Sequence, residues 1–501
     1  MGNRAPHLVL IHPPSVFDFR ERPLSHWLAA NTVASSPVFE YYPLGFLTIM
    51  DHLERRGLSV RLVNLAARMA KSRRFDPARF LARFEPLAFG IDLHWLVHAD
   101  GALETARLLK QLHPRIPVIV GGLSASYYHA ELIADPNVDF VLRGDSTEEP
   151  LFDLLRALEA KQPPEQVANL TWKSPAGVRV HPLSYQPERL EVRVDYGRLI
   201  RHILRERDLR SNLMTGYHWP VYCFNMLLFC RGCLYRCVNC GGSNWALGRR
   251  ALGVRDTEAL ADEIARTDRL TPHHIGLPGD IRMHEGERLL SLLKAKKLRR
   301  APGLEIFSAA SPEFLRQVAE VAPHPELAMS PETHDERIRR AYGRCFSNEM
   351  MERNIADFLD LGGKVRLFFA VGLPGQTRQS VRETVAYLRR LLETHNSSHP
   401  GKLDATIALL APFLDPGSPA FEAPAVYGYR RFYTTLAEHR QAMREPDLRR
   451  VLNYETEGMS RAELVEATIE AQIAVAELRR DLGLLKPKHA ARELAQLDAE
   501  K

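Results

Sequence analysis

No apolar stretch in the 501-residue chain is long enough to cross a membrane: the longest near-apolar run, Ala405 to Leu414, falls far short of the roughly 18 to 20 residues a span needs. The short apolar segment Leu8–Ile11 near the start is likewise too brief for a secretory leader. Cysteine is scarce, six in all, and four of the six fall between positions 230 and 240, with Cys223 nearby and Cys345 alone. A disulfide scaffold would spread its cysteines along the chain, so this clustering points to metal ligands. Charge of one sign is also lacking in bulk. The net charge of +6 comes from 67 basic against 61 acidic residues, in short pairs such as Arg299-Arg300 and Arg430-Arg431 rather than long blocks. Nucleic-acid binding, which shows as a concentrated basic stripe, is therefore not expected. Internal repeats and low-complexity tracts are absent. What is present is 45% apolar and 26% charged residues, the balance of a globular protein, at a length that suggests about three domains. A cytoplasmic protein without a membrane span is the expectation.

Short β-branched runs alternate with amphipathic stretches up to about Leu158, the pattern of a parallel sheet covered by helices. The strands read as His7–Ile11, Val60–Asn64, Ala88–Asp92, Val118–Gly121 and Val138–Arg143, and the helices as Leu44–Arg56, Asp100–Leu112, Tyr127–Ile133 and Glu149–Leu158. Five strands and four crossovers make a flavodoxin-like doubly wound domain over residues 1–165. A hairpin (Ala168–Trp172 and Val178–His181) and a charged linker fill 166–220. Strand–helix alternation resumes over 221–425 with Met226–Phe229, His274–Leu277, Leu304–Phe307, Leu327–Ser330, Val365–Val371 and Leu403–Leu410, which predicts a partial (β/α)6 barrel open on one side. Residues 426–501 read as a helical C-terminal region. The fold class is α/β throughout the two main domains.

In open sheets ligands bind outside the carboxyl ends of the strands. Those ends carry His12-Pro13-Pro14, then Asp92 and His94, then Gly121-Gly122-Leu123-Ser124, then Arg143-Gly144-Asp145. Paired glycines allow a bulky ligand to approach the backbone closely.

Cys233-Leu-Tyr-Arg-Cys237-Val-Asn-Cys240 places three thiolates in one short loop, preceded by Arg231-Gly232 and followed by Gly241-Gly242. Such a loop can wrap a cubane iron–sulfur cluster, and three protein ligands leave one iron open to a small molecule. The alternative is a structural zinc site with Cys230 as fourth ligand, although zinc ribbons usually pair two close cysteine pairs across a long insert. For Cys230, Cys223 and Cys345 a buried structural thiol is the default expectation.

The C-x-x-x-C-x-x-C loop directly after a first barrel strand resembles the radical S-adenosylmethionine superfamily. The resemblance implies a 4Fe-4S cluster on Cys233, Cys237 and Cys240. Asn239 departs from the aromatic residue usual before the last cysteine. By the same resemblance Gly279-Asp280 is similar to the Gly-Gly-Glu element that accepts the methionine amino group. Ser330 and Glu332 end the fourth strand, where polar residues meet ribose and carboxylate, and Gly372-Leu373-Pro374-Gly375-Gln376-Thr377 resembles the superfamily's Gly-Leu-Pro-Gly turn. Tyr42-Pro43-Leu44-Gly45, Gly121-Gly122 and Arg143-Gly144-Asp145-x-x-Glu148 resemble the cobalamin-binding domain that precedes the barrel in a large subgroup, and the resemblance as a whole covers residues 1 to about 420. This implies cobalamin contacts from His12, Pro14, Asp92, His94, Gly121, Gly122, Ser124, Arg143, Gly144 and Glu148. The D-x-H-x-x-G loop that supplies an axial histidine in other cobalamin methyltransferases is absent, so cobalt without a protein histidine is expected, with His94 a wall residue rather than a ligand. The His94, His98 pair reads as structural.

The resemblance implies reductive cleavage of S-adenosylmethionine to a 5′-deoxyadenosyl radical, and methylation of an unactivated carbon as the leading activity. Rearrangement, cyclisation or ring contraction without methyl transfer is the alternative, and a cobalamin- or redox-responsive binding protein a further one. The implied partners are a small-molecule or natural-product substrate and an electron donor such as flavodoxin or ferredoxin. The C-terminal helices read as a solvated cap, or as a substrate lid that includes Asn453, Tyr454 and Glu455.

Overall fold

Five strands rich in Val, Ile and Leu form the centre of the first domain: β1 (Leu8–His12), β2 (Val60–Asn64), β3 (Ala88–Asp92), β4 (Val118–Gly121) and β5 (Phe140–Leu142). The structure is a computed structural model that describes residues 5–21, 38–211 and 224–501. Every residue of β1, β2 and β3 is buried, as expected where helices cover both faces of a parallel sheet. The order β2-β1-β3-β4-β5, all parallel, is the expected flavodoxin-like arrangement. β5 is shorter than its apolar run: at Asp139 the backbone amide still donates to the Val118 carbonyl at 3.0 Å, but the Val118 amide goes to the Asp139 carboxylate at 2.7 Å. The helix expected over Tyr127–Ile133 is two pieces, Leu123–Tyr127 and His129–Ala134, divided at Tyr128.

β6 (Leu170–Ser174) and β7 (Gly177–Val180) form the expected hairpin, yet they continue the same sheet antiparallel to β5, with Phe140 opposite Trp172 and Val141 opposite Thr171. A lone hairpin is marginal in water, and the open edge of β5 supplies its partner.

The second domain runs from β8 (Phe224–Met226) through β9 (Cys230–Arg231), β10 (Gly253–Val254), β11 (His274–Gly276), β12 (Leu304–Ile306), β13 (Glu326–Glu332) and β14 (Lys364–Val371) to β15 (Leu403–Leu409). β8 pairs with β11, and β12 to β15 pair in order, all parallel. A parallel bridge between Gly276 and Gly303 joins the two groups, so six parallel strands follow one another as in the expected partial barrel.

The C-terminal region is not wholly helical: β16 (Tyr429–Arg431) pairs antiparallel with β17 (Tyr454–Thr456). The helix Arg461–Asp481 lies against β15 and covers it, with Arg479 holding both oxygens of Asp404 at 2.8 and 3.0 Å. A covered last strand offers no open edge to another chain. The segment 434–444 returns to the first domain, where Arg444 reaches the buried Asp100 at 2.8 Å and Glu131 accepts the Leu436 amide at 2.9 Å.

Candidate functional site

β9 and β10 pair antiparallel, Cys230 with Val254 and Arg231 with Gly253, and so tie residues 232–252 into a closed loop. Inside it the Asn244 amide donates to the Cys233 carbonyl at 3.0 Å and the Cys240 amide to the Cys237 carbonyl at 3.2 Å. Gly232 has a φ of +84°, and a Cβ there would lie 2.0 Å from Asn244 Oδ1, so only glycine fits. The loop rests on the helix Glu336–Tyr342, whose last residue accepts the Val238 amide at 3.1 Å. The next residue, Gly343, leaves no room for a side chain, since a Cβ would stand 2.7 Å from the Arg236 carbonyl.

Cys237 packs in a small apolar cluster with Val238, Ile338, Tyr342, Ala370 and Leu373, and Cys240 borders it. Burial raises the Cys237 thiol to about 11 and the Cys240 thiol to about 12. Thiols so placed become thiolates when a cationic centre takes them as ligands. The Gly242 amide lies 3.4 Å from Cys240 Sγ, a donor ready for a ligating sulfur. Among the described residues no three His, Cys, Asp or Glu converge on a single metal ion. A cubane asks for something different, one thiolate at each of three corners, and the loop offers three. Cys230 is buried, as expected, with its sulfur directed at the Gly232 carbonyl at 3.8 Å. Cys345 is exposed, contrary to the expectation of a buried thiol, because it leaves the buried Arg344 on the outer side of the chain. Cys223 lies outside the described residues.

Beside the loop, the ends of the barrel strands gather a polar cluster. Asp280, fully buried after Gly279 (φ +100°), accepts from Arg282 Nε at 2.8 Å, Tyr235 Oη at 2.9 Å and the Phe307 amide at 3.1 Å. Burial alone would raise this carboxyl, but Arg282 and the other donors hold it below its ordinary range. Its lone pairs are thus already engaged. Ser330 donates to Glu305, whose carboxyl burial raises. Glu332 adopts a left-handed φ of +65° at the end of β13, and burial lifts its carboxyl to about 7. Arg344 Nη2 meets Glu332 at 3.2 Å, and its guanidinium lies 4.0 Å from the Phe307 ring centre, while Nε and Nη1 are buried with no partner. Asn239, the departure noted above, is buried with its Oδ1 equally unpartnered. Those donors and that acceptor, next to the cysteine loop, suit a ligand with both an acid group and amide-like edges. Gly372 (φ +108°) ends β14, accepts from Tyr429 Oη at 3.1 Å and is pressed against Tyr454. Sequence reasoning assigned no role to Tyr235, Glu305, Gly343 or Arg344. Gly343 and Arg344 directly follow the helix Glu336–Tyr342, Tyr235 lies inside the C-x-x-x-C spacing, and Glu305 carries no local signal.

The carboxyl edge of the first sheet holds a second set. His12 sits between Asp92 Oδ1 (2.9 Å from Nδ1) and the Phe39 carbonyl (3.0 Å from Nε2). His98 shares the Phe39 carbonyl, its ring 4.7 Å from that of His12. Pro14 is buried against Gly101, and Ser124 donates to the His94 carbonyl at 3.1 Å. The His94 ring stands edge-on to Trp95. Gly122 (φ +123°) could carry no side chain, since a Cβ would lie 2.5 Å from the His94 amide, while Gly121 is open apart from the Leu142 carbonyl. Ser15 Oγ, Tyr42 Oη, Asp92 Oδ2 and His98 Nδ1 are buried there without partners. This edge therefore fits a large ligand that brings hydrogen-bonding groups of its own.

The remaining expected contacts are engaged elsewhere. Arg143 bonds the His181 carbonyl of the hairpin, and Gly144 donates to Ser126 Oγ at 2.8 Å. Glu148 is paired with Arg231 of the cysteine loop, and the neighbouring Asp145 with Arg249.

Two family models match the sequence: a B12 binding domain over residues 30–151 and the radical SAM superfamily over residues 227–388. No curated protein matches it. Among solved structures, the radical S-adenosylmethionine methyltransferase TsrM from Kitasatospora setae, with tryptophan substrate and a SAM analogue bound, is similar at 15% identity and a TM-score of 0.59, over 85% of this chain and 79% of that one. The cobalamin-dependent S-adenosylmethionine radical enzyme OxsB, with aqua-cobalamin bound, is similar at 13% identity and a TM-score of 0.60, over 99% of this chain and 72% of that one.

Proposed function

We propose that this chain, a cobalamin-binding radical S-adenosylmethionine enzyme by its two matched domains, methylates an unactivated carbon of a small-molecule substrate. The observation that carries the reading is the cysteine loop at the mouth of a partial barrel, joined by ion pairs to the carboxyl edge of a B12-binding sheet. When bound, the cluster supplies the electron that splits S-adenosylmethionine into methionine and a 5′-deoxyadenosyl radical, and cobalamin supplies the methyl group.

Cys233, Cys237 and Cys240 are the residues that would hold the cluster. Arg344, through Nε and Nη1, would take the methionine carboxylate, with Asn239 and Glu332 as nearby acceptors. Because its oxygens are already engaged, Asp280 orients Tyr235 and Arg282 rather than receiving the amino group directly. Gly121, Gly122, Ser124, His12, Asp92 and His94 would line the cobalamin face. Phe307, Tyr235 and the apolar cluster around Cys237 exclude water, which protects a reactive radical from side reactions. TsrM, similar in fold and described as a methyltransferase, supports methyl transfer as the outcome. An electron donor such as flavodoxin or ferredoxin and a cytoplasmic setting complete the reading. No helix among the described residues is long and apolar enough to cross a membrane.

The test is anaerobic reconstitution with iron, sulfide and cobalamin, then reductant and S-adenosylmethionine together with candidate substrates. Formation of both 5′-deoxyadenosine and S-adenosylhomocysteine, with label from the S-methyl group in product, is expected. 5′-Deoxyadenosine alone during substrate turnover contradicts methyl transfer.

A further inference from the structure

Two arginines bracket the cysteine loop. Arg231 immediately precedes Gly232 and Cys233, and Arg249 follows the loop's last turn, its amide donating to the Asn244 carbonyl at 2.9 Å. Both reach out of the barrel to one short segment after β5. Arg231 forks onto both oxygens of Glu148, with Nη1 2.8 Å from Oε2 and Nη2 on Oε1. Arg249 Nη1 meets both oxygens of Asp145 at 2.8 and 3.1 Å. The side chains are only 9% and 5% exposed in the first pair, and 1% and 12% in the second. Thr48 of the helix Gly45–Arg55 donates to Glu148 at 2.5 Å, and Arg249 Nη2 to the Pro187 carbonyl at 2.9 Å, so both pairs are held at their far ends as well.

Buried ion pairs are a poor way to gain stability, because desolvation offsets most of the attraction and apolar packing often does as well. What a forked arginine–carboxylate contact adds is geometry, a fixed separation and a fixed plane. One such contact leaves a loop free to roll about it. The second contact, Arg249 Nη1 shared between both oxygens of Asp145 with Nη2 fixed on the Pro187 carbonyl, lies on the opposite shoulder of the loop, three residues away on the partner segment, and removes that freedom.

We propose that Glu148–Arg231 and Asp145–Arg249 are positioning pairs that lock the loop of Cys233, Cys237 and Cys240 onto the B12-binding domain and so set the separation and orientation of the two cofactor sites. The inference rests on the functional reading above, and it gives Asp145 and Glu148 a role that does not require them to touch cobalamin. Neither pair touches the reacting atoms; both act through the loop.

The test compares wild type with Asp145→Asn, Glu148→Gln and the double variant, each reconstituted anaerobically with iron, sulfide and hydroxocobalamin. With cobalt(II) and a reduced cluster in place, the two paramagnets broaden each other's electron paramagnetic resonance lines. The double variant is expected to keep both cofactors and lose the mutual broadening. Asp145→Asn, at the more exposed of the two carboxylates, is the milder variant and should show a partial loss. Unchanged broadening in the double variant overturns the proposal. Calorimetry on the cofactor-free proteins decides it independently: one cooperative transition in wild type should split into two in the double variant. One unchanged transition in the variant, or two already in wild type, overturns it. Should wild type take up no cobalamin, the functional reading fails while calorimetry still decides the ionic clamp.

Discussion

Cys237 is buried by solvent exposure where Cys233 and Cys240 are half-buried, in one cluster with Tyr342 and Leu373, so Cys237→Ser would remove the proposed cluster ligand least able to be replaced from solvent. The variant is expected to lose most of its cluster iron after reconstitution, and with it 5′-deoxyadenosine formation, measured as iron content and by chromatography. Glu332 offers a pH-dependent counterpart. Burial raises its carboxyl to about 7, above an ordinary value of about 4.3. The stability that such a group contributes is complete below its ordinary value and is lost as pH rises through the folded one. Glu332→Gln carries no titrating proton, so its stability relative to wild type should increase between about pH 4.5 and pH 7, read as the difference in urea midpoints. A difference that shrinks over that range contradicts the burial argument. The cysteines were legible in the sequence because their chemistry depends on spacing within eight residues. Arg344 and Glu305 were not, because their roles arise only when β12, β13 and the stretch after the helix Glu336–Tyr342 meet in space.

Strand positions were legible for a similar reason. β2, β3 and β4 match their apolar runs residue for residue, since continuous burial on both faces leaves a local signal. The hairpin β6–β7 was recognised, but not that it extends the first sheet, because pairing with β5 is a non-local choice. The sharp turn at Gly372 links an element of the barrel to one of the C-terminal region: its φ is +108°, and a Cβ would lie 2.6 Å from Tyr454 Oη. Gly372→Ala is therefore expected to cost about 1–3 kcal/mol, with part of the loss recovered in Gly372→Ala/Tyr454→Phe, where the clashing hydroxyl is gone. Thermal melts of the four proteins in the double-mutant cycle check this. Equal losses with and without the Tyr454 hydroxyl would place the cost in the backbone alone.

Two α/β domains meet at the cysteine loop, and the C-terminal region contacts both. Its Arg440 and Arg444 bond the first domain at Asp100 while Arg479 holds β15 through Asp404. The chain's end thus reinforces the same alignment that the Glu148 and Asp145 pairs set beside the loop. One polypeptide is thus proposed to carry an iron–sulfur site on the cysteine loop and a separate cobalamin site on the first sheet. The most direct measurement is the iron and cobalamin content of the anaerobically reconstituted chain, compared with the variant Cys233→Ala/Cys237→Ala/Cys240→Ala. Wild type should hold a full cluster and an equivalent of cobalamin, and the triple variant should lose the iron while keeping the cobalamin. A wild type that binds no cobalamin, or a triple variant that retains its cluster, would contradict two separate cofactor sites.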